Sequence, residues 1–381
     1  MVATIFLGII CLLISILYKD KKKGLQIAFF LGTVFLAIRY GWGNDYMNYL
    51  NEYIYSRSLS FDLFDIEAAK SIQRHREWVW LLLNRLFYLS GLGFFGLVIV
   101  LSVFESWTIY RLVEKYVNPK YFWIAILFWI FSTSFCINAS MMRQFLCICL
   151  YLVVVELMME KKVRFYFLWA IGIILVGSWI HRSFLMTIIS LPFFYIHVAQ
   201  KRSSMIWSIV VGIIFILWTI YGRSYLEPFM IAVMEESEDF SSYMFYVGRE
   251  SSKGVVSGLG VLFSYVTFAT WLWLLPKIDK KRQPLLILLV FSYFFNVVTD
   301  IAPLAGRLSL YFSMLGLLCW TFLFEYGEKW KGLYAIFALQ LVVLVRDFFH
   351  FFRDPLWHDY FYEYHTIFEA GRWLSEFFNY P

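Results

Sequence analysis

The sequence predicts an all-α polytopic membrane protein of about twelve transmembrane helices, with both termini on the outer, periplasmic face. Three observations lead there. Hydrophobic residues make up 61% of the 381-residue chain and charged residues only 16%, whereas a soluble domain sits near half and a quarter. Apolar runs of the ~20 residues that cross a hydrocarbon core recur from end to end. Between those runs the lysines gather in short clusters.

The expected spans are roughly 2–18, 24–38, 93–113, 121–137, 142–159, 165–180, 183–199, 205–222, 255–275, 284–299, 307–325 and 333–349. Residues 1–18 lack a basic start and a small-residue cleavage site, so they read as a retained first span. The stretch 77–91 is apolar but short, and it carries Asn84 and Arg85. It reads as an interfacial or re-entrant helix.

Charge tests that arrangement. With the N-terminus outside, the inner loops are "KDKKK" (19–23), 114–120, "EKKVR" (160–164), "QKRSS" (200–204), "PKIDKKRQ" (276–283) and "YGEKWKG" (326–332), all short and basic. They hold 14 of the 16 lysines, all but Lys70 and Lys253. A thirteenth span at 77–91 would scatter these clusters onto both sides, against the positive-inside rule. The expectation is a single transmembrane domain, 1–381, with outer loops at 39–76 and 223–253 and an outer tail at 350–381. The net charge of +6 is thereby topogenic, and no nucleic-acid partner is implied. Five cysteines, Cys11, Cys136, Cys147, Cys149 and Cys319, all fall in apolar runs without a CxxC, so they read as small buried hydrophobes.

The arginines distribute differently. Only four of 17, Arg111, Arg164, Arg202 and Arg282, lie on the inner side. Arginine on the outer side works against the topological bias, but its planar fork suits phosphate and carboxylate. The outer face therefore reads as an anion-binding surface. Polar residues collect at its helix ends: Arg39 and Asp45; Asn138, Arg143 and Gln144 in "INASMMRQF"; His181 and Arg182 in "WIHRSF"; Asp300 and Arg307; and Arg346, Asp347 and His350. Ionisable groups at membrane depth are costly and suggest function. Each also has a plainer reading. Arg39 can snorkel or pair with Asp45, His181 can be an interfacial polar residue, Arg307 can pair with Asp300, and Arg346 with Asp347 can be a solvated pair.

The densest stretch is "RYGWGNDYMNYL", 39–50. Gly41 and Gly43 would let the backbone turn and approach a ligand closely. Trp42, Tyr46 and Tyr49 could stack on sugar rings or anchor at the interface. Arginines from several helices would hold a lipid-linked diphosphate, with a histidine or aspartate as general base.

That stretch resembles the Arg–Tyr–Gly–x–Gly–x–Asp–Tyr–x–x–Tyr signature of the EpsG-type, Wzy-like polysaccharide polymerases. "MRQFLCICLYL" is similar to the family's Arg–Gln helix start, "IHRSFL" to its His-containing turn, and "GRLSLYF" to its late Arg–x–x–x–Tyr–Phe helix, which adds Tyr311. Order and spacing agree across 39–312. The tail "WHDYFYEYHTIF" departs from the family's Pro–Tyr.

The resemblance implies a GT-C-like, metal-independent glycosyltransferase of the bacterial inner membrane, needing no cofactor, with its active site facing the periplasm. Such a polymerase joins undecaprenyl-diphosphate-linked oligosaccharide repeat units into O-antigen or capsule, and undecaprenyl diphosphate leaves. Membrane lipids surround it, and a polysaccharide chain-length regulator is a further partner to consider. Arg143, Arg182 and Arg307 would hold the diphosphate. Arg39 and Asp45 would organise the mouth, with Gln144 as a hydrogen-bonding neighbour. His181 leads as base, with Asp45 and Asp300 in reserve. Asn138, Tyr46, Tyr49 and Tyr311 complete the expected glycan and diphosphate contacts. The loop 223–253 could grip glycan, serve as a lid, or equally be a plain solvated loop.

Three other functions compete. A lipid-linked oligosaccharide flippase would place polar residues along a mid-membrane path, where this chain has only Glu105, Arg85 and Glu156 near the middle. An O-antigen ligase shares the chemistry but carries its long outer loop late. A membrane O-acyltransferase would need chemistry on the inner face, which here is short lysine loops.

Overall fold

The computed structural model describes residues 1–58, 77–198, 202–236, 259–297 and 303–369. The chain divides into two compact units, Met1–Leu185 with Gly327–Pro381, and Met186–Tyr326. Among the described residues both are helical, apart from one two-stranded ladder in the first.

The first unit begins with α1 (Val2–Leu17) and α2 (Lys21–Ala37), joined by Asp20. Asp20 caps α2 by accepting from the amides of Lys22 and Lys23 at 3.1 and 3.2 Å, so two otherwise orphaned helix-end donors are satisfied. A strand, β1 (Arg39–Tyr40), and α3 (Tyr46–Ser58) follow. Next come α4 (Trp78–Leu89), α5 (Gly93–Tyr116), α6 (Phe122–Phe131), α7 (Thr133–Ser140), α8 (Met142–Glu160) and α9 (Tyr166–Ser178). A 3₁₀ run, Arg182–Tyr195, crosses from the first unit into the second.

The second unit contains α10 (Arg202–Glu236), α11 (Leu259–Leu274), α12 (Gln283–Asn296), α13 (Pro303–Ser313) and α14 (Gly316–Gly327). The chain returns to the first unit in α15 (Gly332–Arg353), α16 (Pro355–Phe361) and β2 (His365–Thr366).

The first unit's core is α2 packed on α1 and α5, with α8 against α5 and α9. Its contacts are close and aromatic. Trp129 stacks on Phe29 at 4.2 Å and lies over Gly32, where a Cβ would come within 2.4 Å of the indole. Small residues let helices approach in this way where no water drives them together. In the second unit Trp271 is fully buried against Trp320, with its indole N–H on the Tyr293 hydroxyl at 3.0 Å.

The two ends of the first unit differ in charge. At one end α2 starts and α5 and α8 finish. Lys22 pairs with Glu114, Arg111 and Lys115 with Glu156, Lys115 with Glu160, and Lys120 with Glu328. Glu156, apolar-run exception in the sequence, is thus neutralised by two cations. The opposite end carries Arg39, Arg143 and Arg182, together with the amino group of Met1, which donates to the Phe361 carbonyl at 3.3 Å.

Several expected boundaries change. By length and composition α5, α8 and α15 can each cross a membrane, and α13 with α14 forms a fourth candidate bent by 48°. The remaining expected spans fall mostly on shorter apolar helices. The run 121–137 is not one helix. Ser132 takes an extended conformation with ψ of 144° and separates α6 from α7. Of the run 183–199, residues up to Tyr195 are 3₁₀, with Pro192 inside, where an α-helix would be interrupted by the missing proline amide. The span 205–222 belongs to the 35-residue α10, about 52 Å long. Residues 223–236 of the expected loop 223–253 are therefore helical, and the rest lie outside the described residues. Helix α4 has 12 residues, about 18 Å, short of the ~30 Å core.

Candidate active site at the arginine end

The signature stretch folds back on itself. Arg39 and Tyr40 pair antiparallel with Thr366 and His365. Gly41 has φ +62° and Gly43 has φ +120°, backbone that side chains rarely adopt. Gly43 does approach something closely, but that is protein rather than ligand. A Cβ there would lie 2.9 Å from Ser140 Cα. The same Ser140 hydroxyl accepts from the Asp45 amide at 3.1 Å and bonds the Asn44 side chain. Thus 39–50 is fastened to the end of α7, three residues ahead of Arg143.

The signature's aromatic residues are core. Tyr46, Tyr49, Leu50 and Tyr53 are all buried, and their i, i+3, i+4, i+7 spacing is one face of α3. Trp42 is 1% exposed, donates to the Phe361 carbonyl at 3.2 Å and packs edge-on against Phe35 and Phe361. Open faces for a sugar are therefore not offered by Trp42, Tyr46 or Tyr49. Burial raises the phenol pKa of Tyr46, and it pushes that of Tyr49 up to about 12 against the opposing pull of Arg143.

Arg39 is 1% exposed. Its guanidinium donates to the Leu36 carbonyl and, at 2.9 Å, to the Ser102 hydroxyl. The acid whose charge acts on it is Glu105, one turn beyond Ser102 on α5, rather than Asp45. Glu105 is itself buried, on a face of α5 that also carries Ser102, Ser106 and Thr108.

A second ionic cluster lies at the start of α8. Arg143 Nη1 is 2.7 Å from Glu77 Oε2 and 3.8 Å from Glu52 Oε1. Its guanidinium carbon lies 5.3 Å from the Tyr49 ring centroid. Glu77 Oε1 accepts from the Arg182 amide at 3.4 Å. Glu52 Oε2 accepts the Trp80 indole N–H at 2.9 Å. The Val79 amide meets the Trp179 carbonyl at 3.3 Å. Helix α4 thus docks its N-terminus on the 179–182 turn, and Glu77 ties that turn to Arg143.

Arg39, Asp45, Tyr46, Tyr49, Arg143, Gln144, His181 and Arg182 all belong to the first unit. Arg182 is exposed, Gln144 is buried, and His181 is buried with Nδ1 2.7 Å from the Ser183 hydroxyl. Asn138 lies in α7, but its side chain is outside the described residues, as is Asp300 entirely. Arg307 is half-buried on α13 and Tyr311 is fully buried there, both in the second unit. Arg346 pairs with its neighbour Asp347 at 2.7 Å with both side chains exposed, the solvated pair. Among the described residues no three His, Cys, Asp or Glu side chains could together hold a metal ion.

Sequence reasoning missed Glu52 and Glu77. Glu52 carried a signal, since it lies on the turn of α3 beside Tyr49 and Tyr53. Glu77 carried none, being 66 residues from Arg143. Also missed was the tail: Tyr364 stacks on Phe35 at 4.0 Å and donates to its carbonyl, and the Gly43 amide meets the Tyr360 carbonyl at 3.1 Å.

Apolar helices with a built ionic cluster at one end define an integral membrane protein whose polar chemistry sits at a helix-bundle end. The chain belongs to the EpsG family, whose sequence model matches residues 22–366. The family carries a polysaccharide-polymerase type of role. No curated protein and no solved structure matches the chain.

Proposed function

We propose that the protein joins undecaprenyl-diphosphate-linked oligosaccharide repeat units into a longer polysaccharide. The reaction takes place at the arginine end, on the outer face of the bacterial inner membrane. A hydroxyl of the incoming unit attacks the anomeric carbon of the growing chain, and undecaprenyl diphosphate leaves.

One observation carries this reading. Glu77 draws three separately encoded segments, the α8 start with Arg143, the His181–Arg182 turn and the N-terminus of α4, to one place beside the signature helix α3. Charge that develops on a leaving diphosphate is best met by donors already in position. Arg182 is the arginine of this junction whose side chain is exposed. Arg143 is neutralised by two carboxylates and orders the junction. The lysine-bearing end of the same unit suits the cytoplasmic side, which directs the arginine end outward.

The test is complementation of a deletion strain with wild type, Arg182→Ala and Arg307→Ala, expression being checked by blot. Surface polysaccharide is read as a gel ladder. A ladder with wild type and a single-repeat band in the deletion and the Arg182 variant is expected. Loss of even the single-repeat form would mean a flipping step, and long polymer retained on its lipid carrier would mean a ligase. Either overturns the reading.

A further inference from the structure

We propose that Glu52 is the general base that takes the proton from the attacking sugar hydroxyl. This rests on the glycosyl-transfer reading above.

The two carboxylates around Arg143 have different surroundings. Glu77 has both oxygens engaged, Oε2 by the Arg143 guanidinium at 2.7 Å and Oε1 by the Arg182 amide at 3.4 Å, and its side chain is 9% exposed. It is held as a fixed counter-ion. Glu52 has one oxygen engaged, with Oε2 accepting the Trp80 indole at 2.9 Å. Its Oε1 stands 3.8 Å from Arg143 Nη1, beyond hydrogen-bond distance, and accepts no hydrogen bond from any described residue. The Glu52 side chain is 34% exposed. It is the carboxylate oxygen of the junction that is anchored through its partner atom and open to a ligand.

That arrangement suits a base. The indole bond fixes the carboxylate plane, and Oε1 keeps lone pairs for the hydroxyl of an incoming acceptor. His181 is the less suitable candidate. Its ring is buried and Nδ1 is held by Ser183.

The step balances. The acceptor O–H proton passes to Glu52 Oε1 while that oxygen forms a bond to the anomeric carbon. The bond from the anomeric carbon to the diphosphate oxygen breaks, and its electron pair leaves with undecaprenyl diphosphate. The proton on Glu52 then exchanges with water.

The experiment uses the full-length protein in lipid nanodiscs with the purified lipid-linked repeat unit. Wild type, Glu52→Gln, Glu52→Asp and Glu52→Ala are compared, each shown to be folded by size-exclusion and thermal unfolding. Removal of a general base is expected to slow polymerisation by about 10²–10⁴-fold in Glu52→Gln, with part of the activity kept in Glu52→Asp. Azide is the decisive probe. It attacks the anomeric carbon without a proton to lose, so it should restore release of lipid diphosphate in Glu52→Ala and yield a glycosyl azide. A folded Glu52→Gln that polymerises within about threefold of wild type, or a folded Glu52→Ala that azide leaves inactive, overturns the assignment. Wild type that makes no polymer refutes the glycosyl-transfer reading itself, and the base assignment falls with it.

Discussion

Glu77→Gln keeps the shape of the side chain and removes its charge. The Arg143–Glu77 contact is 2.7 Å with side-chain exposures of 20% and 9%. At an effective dielectric near 20 the gross attraction is about 6 kcal/mol. Much of that offsets desolvation of the two ions, so the pair's net worth is small, yet removing one partner strands the other. Breaking a buried pair in this way costs about 3–5 kcal/mol. Glu52 at 3.8 Å still faces the guanidinium, which puts the expected loss near the lower bound, about 3 kcal/mol. The assay is a double-mutant cycle of Glu77→Gln and Arg143→Met, followed by tryptophan fluorescence during SDS titration in mixed micelles. Direct contact predicts a coupling of about 2 kcal/mol. A coupling under about 0.5 kcal/mol, the level of independent sites, would refute the view that Glu77 is the counter-ion that ties α4 and the 179–182 turn to α8.

Other perturbations follow from the same geometry. Gly43→Ala should cost about 2–3 kcal/mol, from backbone strain plus the 2.9 Å approach to Ser140. Gly41→Ala, with nothing within 4 Å, should cost only the left-handed penalty of about 1–2 kcal/mol; Tm values should rank accordingly. Arg39→Lys keeps the charge but draws the donor back from the position of Nη1, the atom that bonds both Leu36 and Ser102, so unfolding titrations should record a loss of about 2 kcal/mol. Tyr364→Phe should lose about 1 kcal/mol and speed hydrogen exchange at Tyr40, whose strand it braces. The Tyr49 phenol is raised from 10.0 to about 12, so folding favours its neutral form. Its contribution is full below about pH 10 and lost as pH rises through 12. In absorbance titrations at 295 nm, Tyr49→Phe should lack one late-ionising chromophore.

How far the sequence spoke can be judged residue by residue. Runs such as 2–18 and 142–159 were legible because hydrocarbon thickness imposes their length, and α1 and α8 match them closely. Polar residues were legible as clusters along the chain, and Glu77 joins two of them, Arg143 and the 181–182 turn. Orientation was not. Tyr46 and Tyr49 read as ligand-facing because aromatics near a glycine-rich turn suit sugars, while the 46/49/50/53 period that buries them was the stronger signal. The break at Ser132 depends on one residue's ψ, which no periodicity reports. The partners of Arg39 and Arg143 could not be read at all, since Ser102 and Glu77 are brought to them by helix packing.

The pairing of β1 with β2 has a consequence in time. Trp42 and Phe361, which meet through the indole N–H, are 319 residues apart in sequence. At a synthesis rate of about 5–20 residues per second, the signature loop waits roughly 16–64 s for the residues that close over it. A nascent chain cut before residue 355 can thread its early helices into the bilayer and still leave 39–43 without its lid of Tyr360, Phe361 and Tyr364. Assembly of the arginine end is thus a late event, set by the arrival of α16 and β2 rather than by the early-made motif.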